Sequence, residues 1–318
     1  NSSQSNLFVN SLLEDTGRQC IWIGTEGYLF QYFPSTGQMK QTEAFHNNSI
    51  KSLALDGNGY LLAGTDNGLY VYHNDVTPLQ HIIHDSRNIQ SLTNNIIWNI
   101  FADQEHNIWL GTDYGISLSR YNSALQFIPI SQITGTGDGN QFYSLFRDSK
   151  GFYWFGGTNG LIRFTDPAGD KHNAIWYRMG DKTYPLSHNR IRHIYEDKEQ
   201  QLWIATDGSI NRYDYATRQF VHYNIVDSTG TYNTNWTYYM FEDNAGHLWI
   251  STCLGGIFVV DKHRLMQSAS GQYVAEQNYS VHNGLSGMFI NQIIPDNEGN
   301  VWVLLYNNKG IDKINPRT

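Results

Sequence analysis

Apolar runs along this chain are short and stop at polar turns. The stretch IIWNIFAD (96–103) is one; a turn follows, then HNIWLGT (106–112), GISLSRY (115–121) and the weaker LQFIPI (125–130). Runs of this length between turn residues predict strands and not helices. The same order of runs returns along the whole chain, so the pattern is a repeat. Aligned on the Asp that ends the first run, it has seven anchors, Asp15, Asp56, Asp103, Asp148, Asp197, Asp243 and Asp296, spaced 41, 47, 45, 49, 46 and 53 residues apart. Six residues beyond the Asp stand Trp109, Trp154, Trp203, Trp249 and Trp302, with Leu62 in the second copy. The first copy reaches Trp22 after seven residues, and the extra residue predicts a bulge. A Gly-Thr pair or a degraded form follows: Gly24-Thr25, Gly64-Thr65, Gly111-Thr112, Gly157-Thr158, Ala205-Thr206 and Ser251-Thr252.

Each copy reads as four strands, A to D. Strand A ends at the Asp, which caps the amides of an Asp-x-x-Gly turn whose Gly takes the positive φ of a tight hairpin. Strand B carries the Trp, strand C follows a second turn, and RQFVHYN (218–224) is a typical strand D. A four-stranded sheet repeated every 40–50 residues is a propeller blade, which must pack face to face with its neighbours around an axis. The expected fold is therefore all-β: one seven-bladed β-propeller of four-stranded antiparallel blades spanning 1–318. The seventh copy ends at GIDKINPRT without a clear strand D, so closure is expected to use Asn1–Phe8 or sequence beyond the chain.

Composition agrees and excludes several functions. Charged residues are only 16% against 14% aromatic and 29 Gly, which suits short strands and tight turns. A net charge of −8 argues against a nucleic-acid partner. No run approaches the roughly 20 apolar residues of a membrane span, so no direct membrane contact is expected. Cys20 and Cys253 are too few and too far apart for a disulfide framework or zinc site and read as buried free thiols. The twelve His are scattered, His81 and His84 included, and no common catalytic or phosphate-binding motif occurs. No metal, cofactor or catalytic residue is assigned.

The copies NIWLGTDYGISLSRY and QLWIATDGSINRYD resemble the two-component regulator propeller repeat over essentially the whole chain. That family forms the periplasmic sensor region of hybrid two-component histidine kinases in glycan-degrading bacteria. There, two seven-bladed propellers usually precede a β-sandwich, a membrane span and the kinase. The resemblance implies one ring of a longer periplasmic sensor, partnered by the remaining propeller and β-sandwich, with a homodimer among the arrangements it allows.

Scaffold columns repeat because every blade needs them; columns that vary are free to hold a ligand. The fifth residue before the Asp reads Asn10, Lys51, Trp98, Tyr143, Arg192, Tyr238 and Asn291. The seventh reads Phe8, Ser49, Ile96, Gln141, Arg190, Trp236 and Phe289. The eighth is Asn in five copies, Asn48, Asn95, Asn140, Asn189 and Asn235, as expected of a cap on the D–A turn. Rings, amides and cations in the variable columns suit an oligosaccharide, with the cations favouring an anionic one. Lys51, Trp98, Tyr143, Arg190, Arg192, Trp236, Tyr238 and Asn291 are the ligand-binding candidates; plugging of the channel by the same side chains is the structural alternative. Trp176 reads as strand D of blade four. The function that fits is a non-enzymatic sensor module. The alternatives are a docking or dimerisation ring, or a propeller lyase or glycosidase, for which the variable columns offer no carboxylate.

Overall fold

A computed structural model describes residues 8–41, 48–73, 77–88, 90–121, 125–128, 140–165, 174–183, 185–268, 272–306 and 310–316. Seven antiparallel sheets follow one another along the chain. Their A strands are Val9–Asp15, Ile50–Leu55, Ile97–Ala102, Phe142–Arg147, Ile191–Glu196, Thr237–Glu242 and Ile290–Pro295. Each A strand neighbours the next and the seventh neighbours the first, so the A strands form the inner wall of a closed seven-bladed propeller. Trp176 lies in strand D of blade four, Ile175–Tyr177, as its sequence predicts.

The Asp and Trp columns lock six of the seven blades together. In blade three, Asp103 Oδ1 accepts the amides of Glu105 (3.0 Å) and Asn107 (2.8 Å), while Oδ2 accepts the indole N–H of Trp109 at 2.8 Å. The indole bond recurs from Trp22, Trp154, Trp203, Trp249 and Trp302, so the six-residue spacing is the reach of one indole back to its own turn. The turn does not always use Gly for its positive φ: His106 (64°) and Gln200 (63°) take it in blades three and five. The extra residue of the first copy makes no bulge at Trp22, which pairs with Leu13 in regular register. It lengthens the turn instead, where Arg18 binds Asp15 Oδ2 at 2.6 Å.

The Gly of strand B marks close approach between blades. A Cβ at Gly24 or Gly64 would meet Ile50 or Ile97 of the following blade at 2.6 and 2.7 Å. In blade four the residue in this seat is Gly156, whose Cβ would meet Ile191 at 2.4 Å, so the Gly157-Thr158 alignment is one residue out of register. A third column staples neighbouring blades: the residue four before the Asp accepts an A-strand amide of the next blade. Ser52 takes Ile100 N, Asn99 takes Leu145 N, Ser144 takes Ile194 N and His193 takes Met240 N. Gln292 of blade seven takes Leu12 N of blade one at 3.0 Å, so the ring closes by the same kind of staple as joins blades two to six.

Two blades depart from the four-strand pattern. Among the described residues blade seven has three strands, ending at Ile311–Ile314. The Phe8 carbonyl accepts the Glu26 amide and the Phe8 ring lies 6.2 Å from that of Tyr306, so Phe8 helps join the two ends; Asn1–Leu7 lie outside the described residues. In blade six an insertion after strand C forms the helix α1, Lys262–Gln267, and a strand, Gln272–Val274, that pairs in parallel with blade five. Strand D of blade six, Gln277–Tyr279, then follows. Lys262 is fully buried, its Nζ 2.8 Å from Glu242 Oε1 and 3.3 Å from Asp197 Oδ2. Cys20 and Cys253 are free and buried, and burial pushes both thiols up from their usual value.

Candidate functional site

Every A strand breaks register at one position. Ile50 and Ser52 pair across to Thr65 and Gly64, leaving Lys51 as the extra residue. The same break isolates Asn10, Trp98, Tyr143, Arg192, Tyr238 and Asn291. The variable fifth column is thus a column of β-bulges. A bulge leaves its residue out of the ladder and re-aims its side chain, which is why the repeat does not fix the residue there. The residue after strand B lies on the same rim: Asp66, Asp113, Asp207 and Cys253 donate their amides to the carbonyls of Ser49, Ile96, Arg190 and Trp236.

The bulge residues form a belt along one rim of the ring, in contact from Lys51 to Tyr238 and from Asn291 to Asn10, with Phe289 and Ser49 as the next neighbours of the two runs. Lys51 Nζ lies 4.6 Å from the Trp98 ring centroid, and Trp98 meets Tyr143 edge-on at 5.3 Å. Arg192 follows, 5.8 Å from the Tyr143 ring and 4.5 Å from that of Tyr238. Tyr238 meets Phe289 at 5.4 Å, and Phe289 meets Tyr306 at 4.6 Å. Asn291 Nδ2 donates to the Asn10 carbonyl (3.1 Å), and Asn10 Nδ2 to Ser49 Oγ (2.8 Å). All seven are half-buried. Arg190 and Trp236 stand further out and are exposed, Trp236 to 49%; both attach to Asp207, the first by a 3.8 Å ion pair and the second by its amide to the Asp207 carbonyl. Trp236 also holds a left-handed φ of 56°, rare for a bulky residue and a mark of a constrained rim.

Carboxylates are present after all, from the B–C turns. Asp207 Oδ1 accepts from Arg192 Nε at 2.8 Å. Asp113 Oδ1 accepts from Trp98 Nε1 at 3.0 Å and Gln141 Nε2 at 2.7 Å, while Tyr143 OH donates to Gln141 Oε1 at 2.6 Å. The arginines are therefore neutralised locally, while Lys51 carries its charge against a ring. Burial raises the Tyr143 and Tyr238 phenols above their usual value although Arg192 draws them down, so both remain neutral donors. The B–C turns are expected from propeller topology on the rim where strand A begins, and the residue behind Gly-Thr varies there, but the candidates come from strand A alone. The recurrent Asn caps the D–A connection at two places, Asn95 Oδ1 accepting His84 N and Asn189 Oδ1 accepting Met179 N. Asn140 instead accepts from Thr158 and Asn159 of its own blade.

The model of the two component regulator propeller matches residues 91–114, 136–159 and 185–208, each spanning the start of strand A through the Trp to the rim turn. Two crystal structures of one B. thetaiotaomicron extracellular domain, described as a one component system and as a hybrid two component system, match the whole chain. They are 93% and 94% identical to it with TM-scores of 0.59 and 0.60, and the chain spans 43% of each. The extracellular domain of another B. thetaiotaomicron hybrid two component system shares the fold at TM-score 0.76 and 19% identity, over 98% of this chain and 40% of that one. A histidine kinase of Formosa agariphila is 26% identical over 240 residues, which are 68% of this chain and 16% of that protein. With the Asp–Trp clamp and bulge recurring in its blades, the chain carries matches to the two component regulator propeller family in three of its seven blades.

Proposed function

We propose that this propeller is a non-enzymatic periplasmic sensor module of a hybrid two-component histidine kinase, binding an oligosaccharide at the bulge belt. The observation that carries the reading is the belt itself: seven bulges, one per blade, with aromatic, amide and cationic side chains, those from Lys51 to Tyr238 in successive contact. Rings take the C–H faces of sugars, and amides and carboxylates take hydroxyls. Because Asp113 and Asp207 already occupy the indole and arginine donors, a neutral or weakly anionic glycan fits better than a polyanion. Binding would shift the kinase only through unequal affinity for its two signalling states. Calorimetric titration with a panel of neutral and acidic oligosaccharides tests this. Trp98→Ala and Trp236→Ala should each weaken the bound glycan by about 1–3 kcal/mol, as truncated anchor aromatics do. Unchanged binding in both removes the belt from the reading, and steady turnover of any glycan removes the non-enzymatic part.

One observation favours docking as a second reading. On the belt's rim Leu254 is 65% exposed, next in sequence to Cys253, whose amide meets the carbonyl of the exposed Trp236, and exposed apolar residues of this kind suit a protein partner. Leu254→Asp should leave glycan titration intact under the first reading and break association with a second propeller under this one.

A further inference from the structure

In six blades an indole fills the space beside strand B and donates to the anchor Asp Oδ2 at 2.7–3.0 Å. Blade two lacks it. Asp56 keeps its turn, Oδ1 accepting the amides of Asn58 (2.9 Å) and Tyr60 (2.7 Å). Leu62 stands in the Trp seat, and no donor among the described residues reaches Asp56 Oδ2. An open groove of about 340 Å³ results, walled by Leu62, Leu69, Val71 and Leu79 of blade two and Ile108 of blade three, with Asp56 at its polar end. Its Asp56 end lies at the A–B turn, the opposite end of the strands from the bulge belt, and the groove runs along the blade towards Leu69 and Ile82.

We propose that this groove binds a free indole-class ligand: a small bicyclic aromatic molecule with one N–H donor. Its shape and chemistry follow from the other six seats, where an apolar slot of the same strands and a carboxylate oxygen hold just such a group. Apolar cavities of on the order of 150 Å³ take up small aromatic molecules. Asp56 Oδ2 adds an acceptor that would select an N–H and reject a ring without one. The groove owes nothing to the sensing reading above and stands or falls separately.

Indole itself is the probe, titrated into the folded chain by calorimetry, with benzofuran as the isostere lacking the N–H. Saturable one-to-one binding of indole is expected, with benzofuran about tenfold weaker or more, the loss of a bond to a charged acceptor. Leu62→Trp, which supplies the missing indole from within, should cut the affinity for added indole by at least about tenfold. Leu79 is 60% exposed, outside the core, so Leu79→Glu keeps the fold and should weaken indole several-fold, about the loss of one apolar wall. Absence of saturable binding overturns the proposal, as does equal affinity for benzofuran or equal binding by both variants. Tighter binding of N-acetyltryptophanamide than of indole would also overturn it, assigning the groove to a tryptophan of a partner protein.

Discussion

At His193, one side chain joins two blades and sets a pH limit on the fold. Nδ1 accepts the Met240 amide at 3.3 Å, and the ring stacks on Tyr239 at 3.8 Å. Neighbours pack the ring densely although some of its surface still meets solvent, and burial pushes its pKa from 6.5 down to about 3. The folded state therefore holds a neutral imidazole where the unfolded chain binds a proton below pH 6.5. Stability from this group is fully present above that pH and is lost as pH falls from about 6.5 towards about 3, by at most about 1.4 kcal/mol per pH unit. Urea unfolding at pH 7.5 and 5.5 checks it: His193→Gln, which keeps an acceptor as Gln292 does in blade seven, should flatten the difference. An equal pH slope in the variant would place the proton elsewhere. This staple column was not legible in the sequence, because Ser52, Asn99, Ser144, His193 and Gln292 share only an acceptor atom and the right reach. The Asp column was legible because it is chemically uniform.

Strands A to C were legible as elements wherever the Asp–Trp clamp sets them, since one carboxylate fixes the turn and the next strand together. Trp203 is fully buried among Ile250 and Phe258 of the following blade, and its indole holds Asp197 at 2.9 Å. Trp203→Ala should cost about 3–5 kcal/mol as a large-to-small core change, while Trp98→Ala on a bulge should change the denaturation midpoint little. Urea midpoints of the two variants check this; equal losses would make the bulge residues core and the belt mere packing. The rest of the elements resisted reading for physical reasons. In blade six the 53-residue spacing conceals a helix and a strand borrowed by blade five, because buried Lys262 is paid for by Asp197 and Glu242, which lie far from it in sequence. Bulges leave no composition signal beyond variability, so the candidate residues were legible and their belt was not. The rim carboxylates Asp113 and Asp207 were missed because the candidates come only from the two variable columns of strand A.

Across the ring, the seam between blades seven and one is the one that the chain does not cross among the described residues. Six seams are crossed by the chain itself, and a staple such as Ser144 to Ile194 N (3.0 Å) only adds to that link. The last seam, among the described residues, has side chains alone. Gln292 holds Leu12 N, Asn291 holds the Asn10 carbonyl, Asn297 donates to Glu14 at 2.9 Å, and Leu12, Ile21 and Ile23 pack with Leu304, Ile294 and Trp302. Removing either staple leaves a buried strand amide unpaired, a cost of about 1–3 kcal/mol at either place. The consequences should nonetheless differ in extent. With Ser144→Ala the covalent connection keeps blades four and five together, so faster amide exchange should stay near Ile194. With Gln292→Ala the open seam can part without unfolding the other blades, a sub-global opening of low free energy. Exchange should then rise at Leu12 and along Ile290–Pro295 and Val301–Leu305, while blades three to five keep their protection. Native-state hydrogen exchange of the two variants measures this directly. Should both variants accelerate exchange evenly in every blade, the ring opens only by global unfolding, and its closure is as strong as its connected seams.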